Sequence, residues 1–253
     1  CPTNDVRLIP SVPGYAYAQK DKDIYVNLFI TGVASLMVDK KSIQIEQKNN
    51  YPWDGNLSFT VNPQSSLEFA LLMRIPGWAQ NKAMPSDLYT FSTTSDKQVT
   101  IKVNGKPFDW KLEKGYARLA RTWKKGDLVE VSLPMEVRTV VANPKVKDDI
   151  GKIALQHGPL IYCAEWPDNF GKTSNLVIPA SASFKTEFKP DLLNGVLTLK
   201  SEAIAVKIEG ENKIVTATQP FTAIPYYAWA HRGKGEMMVW FPVKITDVEI
   251  ISR

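Results

Sequence analysis

The sequence is poor in the residue types that dominate many catalytic and disulfide-rich proteins. It contains two cysteines and two histidines in 253 residues, so neither a disulfide framework nor a histidine-rich metal cluster is expected. Lysine and arginine alternate with acidic residues and no run of five like charges occurs, which argues against nucleic-acid binding despite a net charge of +5. No stretch of 18 apolar residues is present, so no membrane-spanning segment is expected either.

β-branched residues are abundant. Val, Ile and Thr account for 55 of the 253 residues, and such side chains are favoured on pleated sheets. Short runs of alternating apolar and polar residues recur at intervals of about 8–12 residues from residue 15 onward, with turn signals between them, as in β-sandwiches. We therefore predict an all-β fold of two jelly-roll-like β-sandwich domains in series, after a short helical leader.

The expected organisation has three parts. Residues 4–12 should form a helix capped by Asn4 and stopped by Pro10 and by Pro13 and Gly14, within a leader of residues 1–14. The first sandwich is expected over 15–170 and a smaller second one over 171–253, with a linker at 167–175. Asn104 and Gly105 predict a tight hairpin, and a second hairpin is expected over 116–131 around the turn at 124–127.

The sequence contains few candidate catalytic residues. The sequence contains no nucleophile elbow, phosphate-binding loop or dinucleotide fingerprint, and no pair of carboxylates stands out as the acid and base of a glycosidase. Cys163 lies in an apolar strand-like run and is interpreted as a buried structural thiol. His157 is interpreted as a hydrogen-bonded residue of a turn. No catalytic residue is therefore assigned within this chain.

Tryptophan offers the best sign of a ligand. Trp53 and Trp166 lie in turns beside proline and aspartate and are candidate sugar contacts. His231 and Arg232 lie in a glycine-bounded loop that is either a solvated hairpin tip or a contact for an anion or a sugar, so they are candidate sugar contacts as well. Trp123, Trp229 and Trp240 lie in strand-like patterns and are expected in the cores instead. A β-sandwich with exposed tryptophans would suit an autonomous carbohydrate-binding module, and a β-rich interaction domain is a third alternative.

Several motifs together resemble glycoside hydrolase family 127 and its relative, family 146, which contain β-L-arabinofuranosidase-like enzymes, many of them bacterial. The matching segments occur in the same order along nearly the whole chain and are 1–4 (CPTN), 9–11 (IPS), 73–79 (MRIPGWA), 103–105 (VNG), 115–116 (GY), 121–127 (RTWKKGD), 133–138 (LPMEVR), 142–144 (ANP), 154–162 (ALQHGPLIY), 224–229 (IPYYAW) and 232–237 (RGKGEM).

This resemblance implies that the chain is the C-terminal, non-catalytic part of a larger hydrolase. Such enzymes have an N-terminal (α/α)6 catalytic barrel, a zinc–thiolate active site and β-sandwich domains after the barrel. By resemblance Cys1 would be one zinc ligand of an incomplete site, and residues 1–14 would be the remnant of the last barrel helix. The chain alone is then expected to be inactive and to hold no cofactor, because one thiolate cannot hold Zn²⁺.

The expected partners of the chain follow from the same resemblance. They are its own catalytic barrel and, for the parent enzyme, an arabinose-containing glycan of plant or glycoprotein origin; neither nucleic acid nor a membrane is expected. Self-association through the surface that would face the barrel is also expected. For the parent we expect a periplasmic or extracellular location, and the sequence leaves the compartment of this chain open.

Overall fold

The computed structural model describes residues 2–210 and 213–248. Strands make up 49% of the described residues and helices 12%, which confirms the all-β class with a short helical leader. The one α-helix of the described residues, α1, spans Pro2–Ser11 and continues into a 3₁₀ turn at Val12–Tyr15. Within the described ranges, no helix is both long and apolar enough to cross a membrane.

The chain divides into two compact units. The first comprises the residues up to Gln80 together with Ser95–Met135, and the second comprises Asn81–Thr94 together with the residues from Glu136 onward. The boundary therefore differs from the one expected near residue 170. The reason is that the strands between residues 137 and 165 pair with one another and with other strands of the second unit.

The first unit contains two sheets. One has five strands in the order β1-β2-β6-β11-β10, and the other has six in the order β3-β4-β5-β12-β8-β9. Their bounds are β1 Tyr17–Lys20, β2 Asp23–Val26, β3 Gly32–Val38, β4 Lys41–Asn49, β5 Asn56–Pro63, β6 Leu67–Arg74, β8 Thr100–Val103, β9 Lys106–Pro107, β10 Leu112–Glu113, β11 Tyr116–Trp123 and β12 Asp127–Ser132.

Alternation of side chains explains how these two sheets share one core. In β5 every second residue is buried, so that Leu57, Phe59 and Val61 face inward while their neighbours face outward. Strand β6 is buried almost continuously, because it lies between β2 and β11 in its sheet. Trp123 at the end of β11 is fully buried and donates its indole N–H to the carbonyl oxygen of Phe69 at 3.1 Å, as expected for a core tryptophan.

The second unit is built on a strand order of β16-β18-β19-β15-β14-β13-β7, with three further strands paired to it. The bounds are β7 Tyr89–Phe91, β13 Val137–Ala142, β14 Lys152–His157, β15 Leu160–Glu165, β16 Leu176–Val177, β17 Lys185–Lys189, β18 Val196–Glu209, β19 Lys213–Pro225, β20 Met237–Met238 and β21 Phe241–Pro242. Its core includes Leu155, Tyr162, Leu199, Phe221 and Phe241, all of which are buried.

Two local predictions were wrong. Strands β11 and β12 do not form a hairpin, because β11 pairs with β6 in one sheet and β12 pairs with β5 in the other. The turn at 124–127 therefore carries the chain from one sheet to the other. The expected linker at 167–175 is instead part of the second unit, since Asn169 and Thr173 are buried there. The predicted hairpin at Asn104 and Gly105 is confirmed by the pairing of Val103 with Lys106.

Candidate functional site

A loop of the second unit, residues 226–236, connects two strands that both pair with β15. Strand β19, which precedes the loop, pairs with β15 at Tyr162 and Cys163, and β20, which follows it, pairs with β15 at Ala164 and Glu165. The chain leaves the ladder after Pro225 in a 3₁₀ turn at Tyr226–Ala228 and returns to it at Met237. Both ends of the loop are thus fixed on one strand.

An ion triad holds the middle of this loop. Arg232 donates from Nε to Oε2 of Glu165 at 2.8 Å, and from Nη1 and Nη2 to the two carboxylate oxygens of Asp168 at 3.0 and 2.6 Å. The side chain of Glu165 is 2% exposed and that of Arg232 is 17% exposed. Burial alone would lower the pKa of Arg232, but the hydrogen bonds and charges of Asp168 and Glu165 outweigh it and raise that pKa. Arg232 therefore stays charged, and four of its five N–H groups bind these two carboxylates.

The other carboxylate oxygen of Glu165 binds the backbone of the loop. Oε1 accepts the backbone N–H of Ala230 at 3.1 Å, and Ala230 adopts a left-handed conformation with φ of 71°. This conformation is uncommon for a residue with a Cβ and persists only where its surroundings impose it. The buried carboxylate is part of those surroundings.

Polar contacts also fix the segment after β15 against the loop. The amide of Asn169 donates to the carbonyl oxygens of Glu165 and Thr222 at 2.8 and 2.9 Å. Oε2 of Glu236 accepts the backbone N–H groups of Thr173 and Ser174, each at 2.9 Å. Burial would raise the pKa of Glu236, but these backbone donors outweigh it and lower that pKa. The carboxylate therefore ties residues 173–174 to the end of the loop.

Trp166 packs against the glycines of the loop. A Cβ built on Gly235 would lie 2.0 Å from Cδ1 of the indole, so only glycine fits there. Gly233 lies near the same ring, and the backbone N–H of Trp166 donates to the carbonyl oxygen of Glu236 at 3.0 Å. The indole is half-buried and supports the loop from one side.

Three aromatic side chains stand exposed at the start of the loop. Tyr226, Tyr227 and Trp229, together called the aromatic shelf, are 45, 59 and 40% exposed. The rings of Tyr226 and Trp229 are nearly parallel, with an interplanar angle of 11° and centroids 5.9 Å apart. The exposed ring of His231 directs Nδ1 to the carbonyl oxygen of Ala228 at 3.1 Å. Trp229 is thus exposed, contrary to the expectation that it lies in a core.

The structure brings three of the four candidate sugar contacts together. Trp166, His231 and Arg232 belong to the loop and its supports, whereas Trp53 is half-buried in the first unit. A role of these four residues in sugar binding stays a prediction. Cys1, the zinc ligand implied by the resemblance, lies outside the described residues. Sequence reasoning missed Tyr226 and Trp229, although the aromatic cluster YYAW after a proline was a usable signal.

The described residues offer little for catalysis. No group of three or more His, Cys, Asp or Glu side chains between residues 2 and 210 or 213 and 248 is arranged to hold a metal ion. Glu165 and Asp168 both bind Arg232, which leaves them poorly suited to act as a free acid and base. Cys163 is buried, and burial followed by the nearby negative charge of Glu165 raises the pKa of its thiol to about 12. It is a structural thiol, as expected, because the thiolate is the reactive form.

Comparison with known proteins identifies the two units. Residues 23–135 match the family model described as the β-L-arabinofuranosidase GH127 middle domain, and residues 137–242 match that of the glycoside hydrolase family 127 C-terminal domain. The two matches meet at the boundary between the compact units. Together they cover most of the chain.

Individual relatives agree with these matches. The chain is 34% identical to a non-reducing end β-L-arabinofuranosidase of Bifidobacterium longum subsp. longum, over 95% of the chain and 36% of that protein. A solved GH127 β-arabinofuranosidase superposes with a TM-score of 0.95 at 42% identity, over 98% of the chain and 39% of the relative. A GH127 β-L-arabinofuranosidase from Geobacillus stearothermophilus T6 superposes with a TM-score of 0.83 at 37% identity, over 96% of the chain and 37% of the relative.

The chain thus spans little more than a third of the length of each of these relatives. Within that length, both family models match in the expected order, and the structural agreement extends over nearly every residue of the chain. This chain belongs to glycoside hydrolase family 127 and corresponds to the middle and C-terminal domains of that family.

Proposed function

We propose that this chain is the non-catalytic β-sandwich region of a larger glycoside hydrolase that acts on β-L-arabinofuranosides, and that it supports a catalytic barrel. The observation that carries the proposal is the coverage: the chain aligns over 95–98% of its own length but over only 36–39% of the relatives. Those relatives are named as arabinofuranosidases. A missing partner domain of helical architecture would account for the remainder.

The polar groups of the second unit support a structural role. In its most buried charged cluster, Arg232 pairs with both Glu165 and Asp168, so neither of these two carboxylates is left uncommitted. In the proposed parent, zinc would be held chiefly by residues of the barrel, with Cys1 as one further ligand. The barrel would bind the substrate, and this chain would position and stabilise the barrel.

A single comparison of two proteins tests the proposal. The gene upstream of Cys1 is sequenced, and the longer product and the 253-residue chain are both purified and assayed on an aryl β-L-arabinofuranoside. We expect a long helical pattern upstream, with a second cysteine next to Cys1, and turnover by the longer product alone. Turnover by the 253-residue chain that is lost in Cys1→Ser would overturn the proposal.

Metal analysis provides an independent readout of the same proposal. We expect zinc to remain with the longer product after dialysis, and the 253-residue chain to retain less than one equivalent, because an isolated thiolate lacks the three or four ligands that zinc requires. One equivalent of zinc on the monomeric 253-residue chain would contradict the assignment of the other ligands to the barrel.

A further inference from the structure

The aromatic shelf is unusual because it exposes three large rings within four residues of chain. Tyr226, Tyr227 and Trp229 are each at least 40% exposed, although the neighbouring residues 221–225 are all buried. Single exposed aromatics are common on protein surfaces, but three within four residues form an exposed apolar patch that suits a ligand. We propose that the aromatic shelf binds a neutral oligosaccharide through stacking of sugar C–H groups on the rings.

The loop beneath the shelf is held in a defined conformation. The left-handed residue Ala230, which directly follows Trp229, is fixed by the carboxylate of Glu165, and Arg232 is fixed by the same carboxylate. Trp166 fills the space beside Gly235 on the return of the loop. A surface that is already ordered loses less entropy when it binds a ligand, so these internal contacts favour recognition by the shelf.

The chemistry around the shelf favours a neutral sugar over an anion. Arg232, the most buried cation of the loop, is compensated by Glu165 and Asp168 and is not free to bind a phosphate or carboxylate. The aromatic faces carry partial negative charge that attracts polarised C–H groups. Because Nδ1 of His231 faces the carbonyl oxygen of Ala228, Nε2 of this exposed ring remains for a sugar hydroxyl.

By itself the shelf is too small to form a stable protein–protein interface. Stable protein–protein interfaces involve about 20–30 residues on each side, whereas the shelf offers three side chains. Charged residues follow it along the loop, at Arg232 and Lys234.

Calorimetric titration of the intact chain tests the proposal. The probes are soluble arabinan, arabinogalactan and arabinoxylan, with polygalacturonate as an anionic control for the positive net charge of the protein. The variants are Trp229→Ala and Tyr226→Ala at the shelf, and Tyr15→Ala as the matched control, since Tyr15 is an exposed aromatic residue of the first unit. Thermal unfolding verifies that each variant folds.

We expect binding to at least one neutral glycan, a loss on the order of tenfold or more in Trp229→Ala, and no change in Tyr15→Ala. The proposal is overturned if no neutral glycan binds, if only polygalacturonate binds, or if Trp229→Ala binds as well as the parent chain. It is also overturned if Trp229→Ala leaves glycan binding intact and instead weakens association with the rest of a longer gene product. Hydrolysis is not measured, so the outcome is independent of the proposed function above.

Discussion

At the scale of single residues, the close approach of Gly235 to Trp166 leads to a sharp prediction. A Cβ at position 235 would lie 2.0–2.3 Å from three atoms of the indole, so Gly235→Ala must displace the ring. Overpacking of this kind costs roughly 1–3 kcal/mol of unfolding free energy. We expect a loss of that size in urea unfolding. Gly32→Ala is the control, because a Cβ there meets nothing within 4 Å and should cause little change.

The charge of Glu165 supports a second prediction. Replacing Glu165 by Gln removes a buried partner of Arg232 and weakens the hydrogen bonds to Nε and to Ala230. Because the loss of one member of a buried ion pair leaves the other poorly compensated, we expect a loss of about 2–4 kcal/mol in the free energy of unfolding. Asp168 remains and limits the loss.

An exposed pair provides the matched control for this change. Glu187 and Lys189 form an ion pair with side chains 47 and 41% exposed, so Glu187→Gln should leave stability unchanged. Equal effects of Glu165→Gln and Glu187→Gln in the same denaturation experiment would show that the triad does not stabilise the loop.

Asp127 at the turn after β11 makes stability depend on pH. Burial alone would raise its pKa, but the side chain of Asn104, the backbone N–H of Lys124 and the charge of Arg121 outweigh it and lower that pKa below 3.8. A carboxyl with a lowered folded-state pKa stabilises the protein above its unfolded pKa, and this stabilisation is lost as the pH falls through the folded pKa. Asp127→Asn should therefore cost about 1–3 kcal/mol at pH 7.

The sign of this effect is checked by repeating the unfolding experiment in acid. The difference between the parent chain and Asp127→Asn should shrink progressively as the pH falls below the ordinary carboxyl pKa of 3.8 and through the lower pKa of the folded state. Asp109→Asn, at an exposed position of the same unit, should show no difference at either pH. A difference for Asp127→Asn that grows as the pH falls would contradict the assignment.

At the scale of elements, the sequence predicted which residues form strands better than it predicted which strands pair. Alternation in β5 and the Asn104–Gly105 turn were sufficient to predict a strand and a hairpin, because both signals are local. The turn at 124–127 has equally clear local signals, yet it joins two different sheets. A turn motif indicates that the chain reverses, whereas the pairing is decided by distant strands such as β5 and β6.

The contacts of the candidate site also join residues that are distant in the sequence, and local signals do not predict them. Glu165 and Arg232 are 67 positions apart, so no spacing in the sequence indicates their contact. Trp229 was expected in a core because it follows a strand-like run. The 3₁₀ turn at Tyr226–Ala228 instead takes the chain out of the ladder and exposes the ring. His231 and Arg232 were noticed through their glycine-bounded loop, but the buried carboxylates that fix them were not.

Helix α1 leads to a prediction at this scale. None of its ten residues is buried, so its formation contributes no core packing to the first unit. Deletion of residues 1–11 should leave the thermal unfolding midpoint unchanged. The control is deletion of 1–20, which removes the buried residue Ala16 and the whole of the edge strand β1 and should lower the midpoint. A clear loss of stability on deleting 1–11 would mean that the helix is anchored after all.

At the scale of the whole molecule, the exposed apolar residues of the N-terminal segment lead to the last prediction. Val6, Leu8, Ile9 and Tyr15 are each more than half exposed and lie within ten positions of one another. Exposed apolar surface of this kind favours contact with a partner, and in the proposed parent that partner would be the barrel.

Without that partner, we expect the chain to self-associate as its concentration rises, and the deletion of residues 1–11 to weaken this association. Light scattering of both proteins over a range of concentrations measures the average mass directly. Electrostatic repulsion between molecules with a net charge of +5 opposes association, so the experiment is run at both low and moderate salt, and association should be stronger at moderate salt. A strict monomer at all concentrations, unchanged by the deletion, would show that the segment is not an adhesive surface.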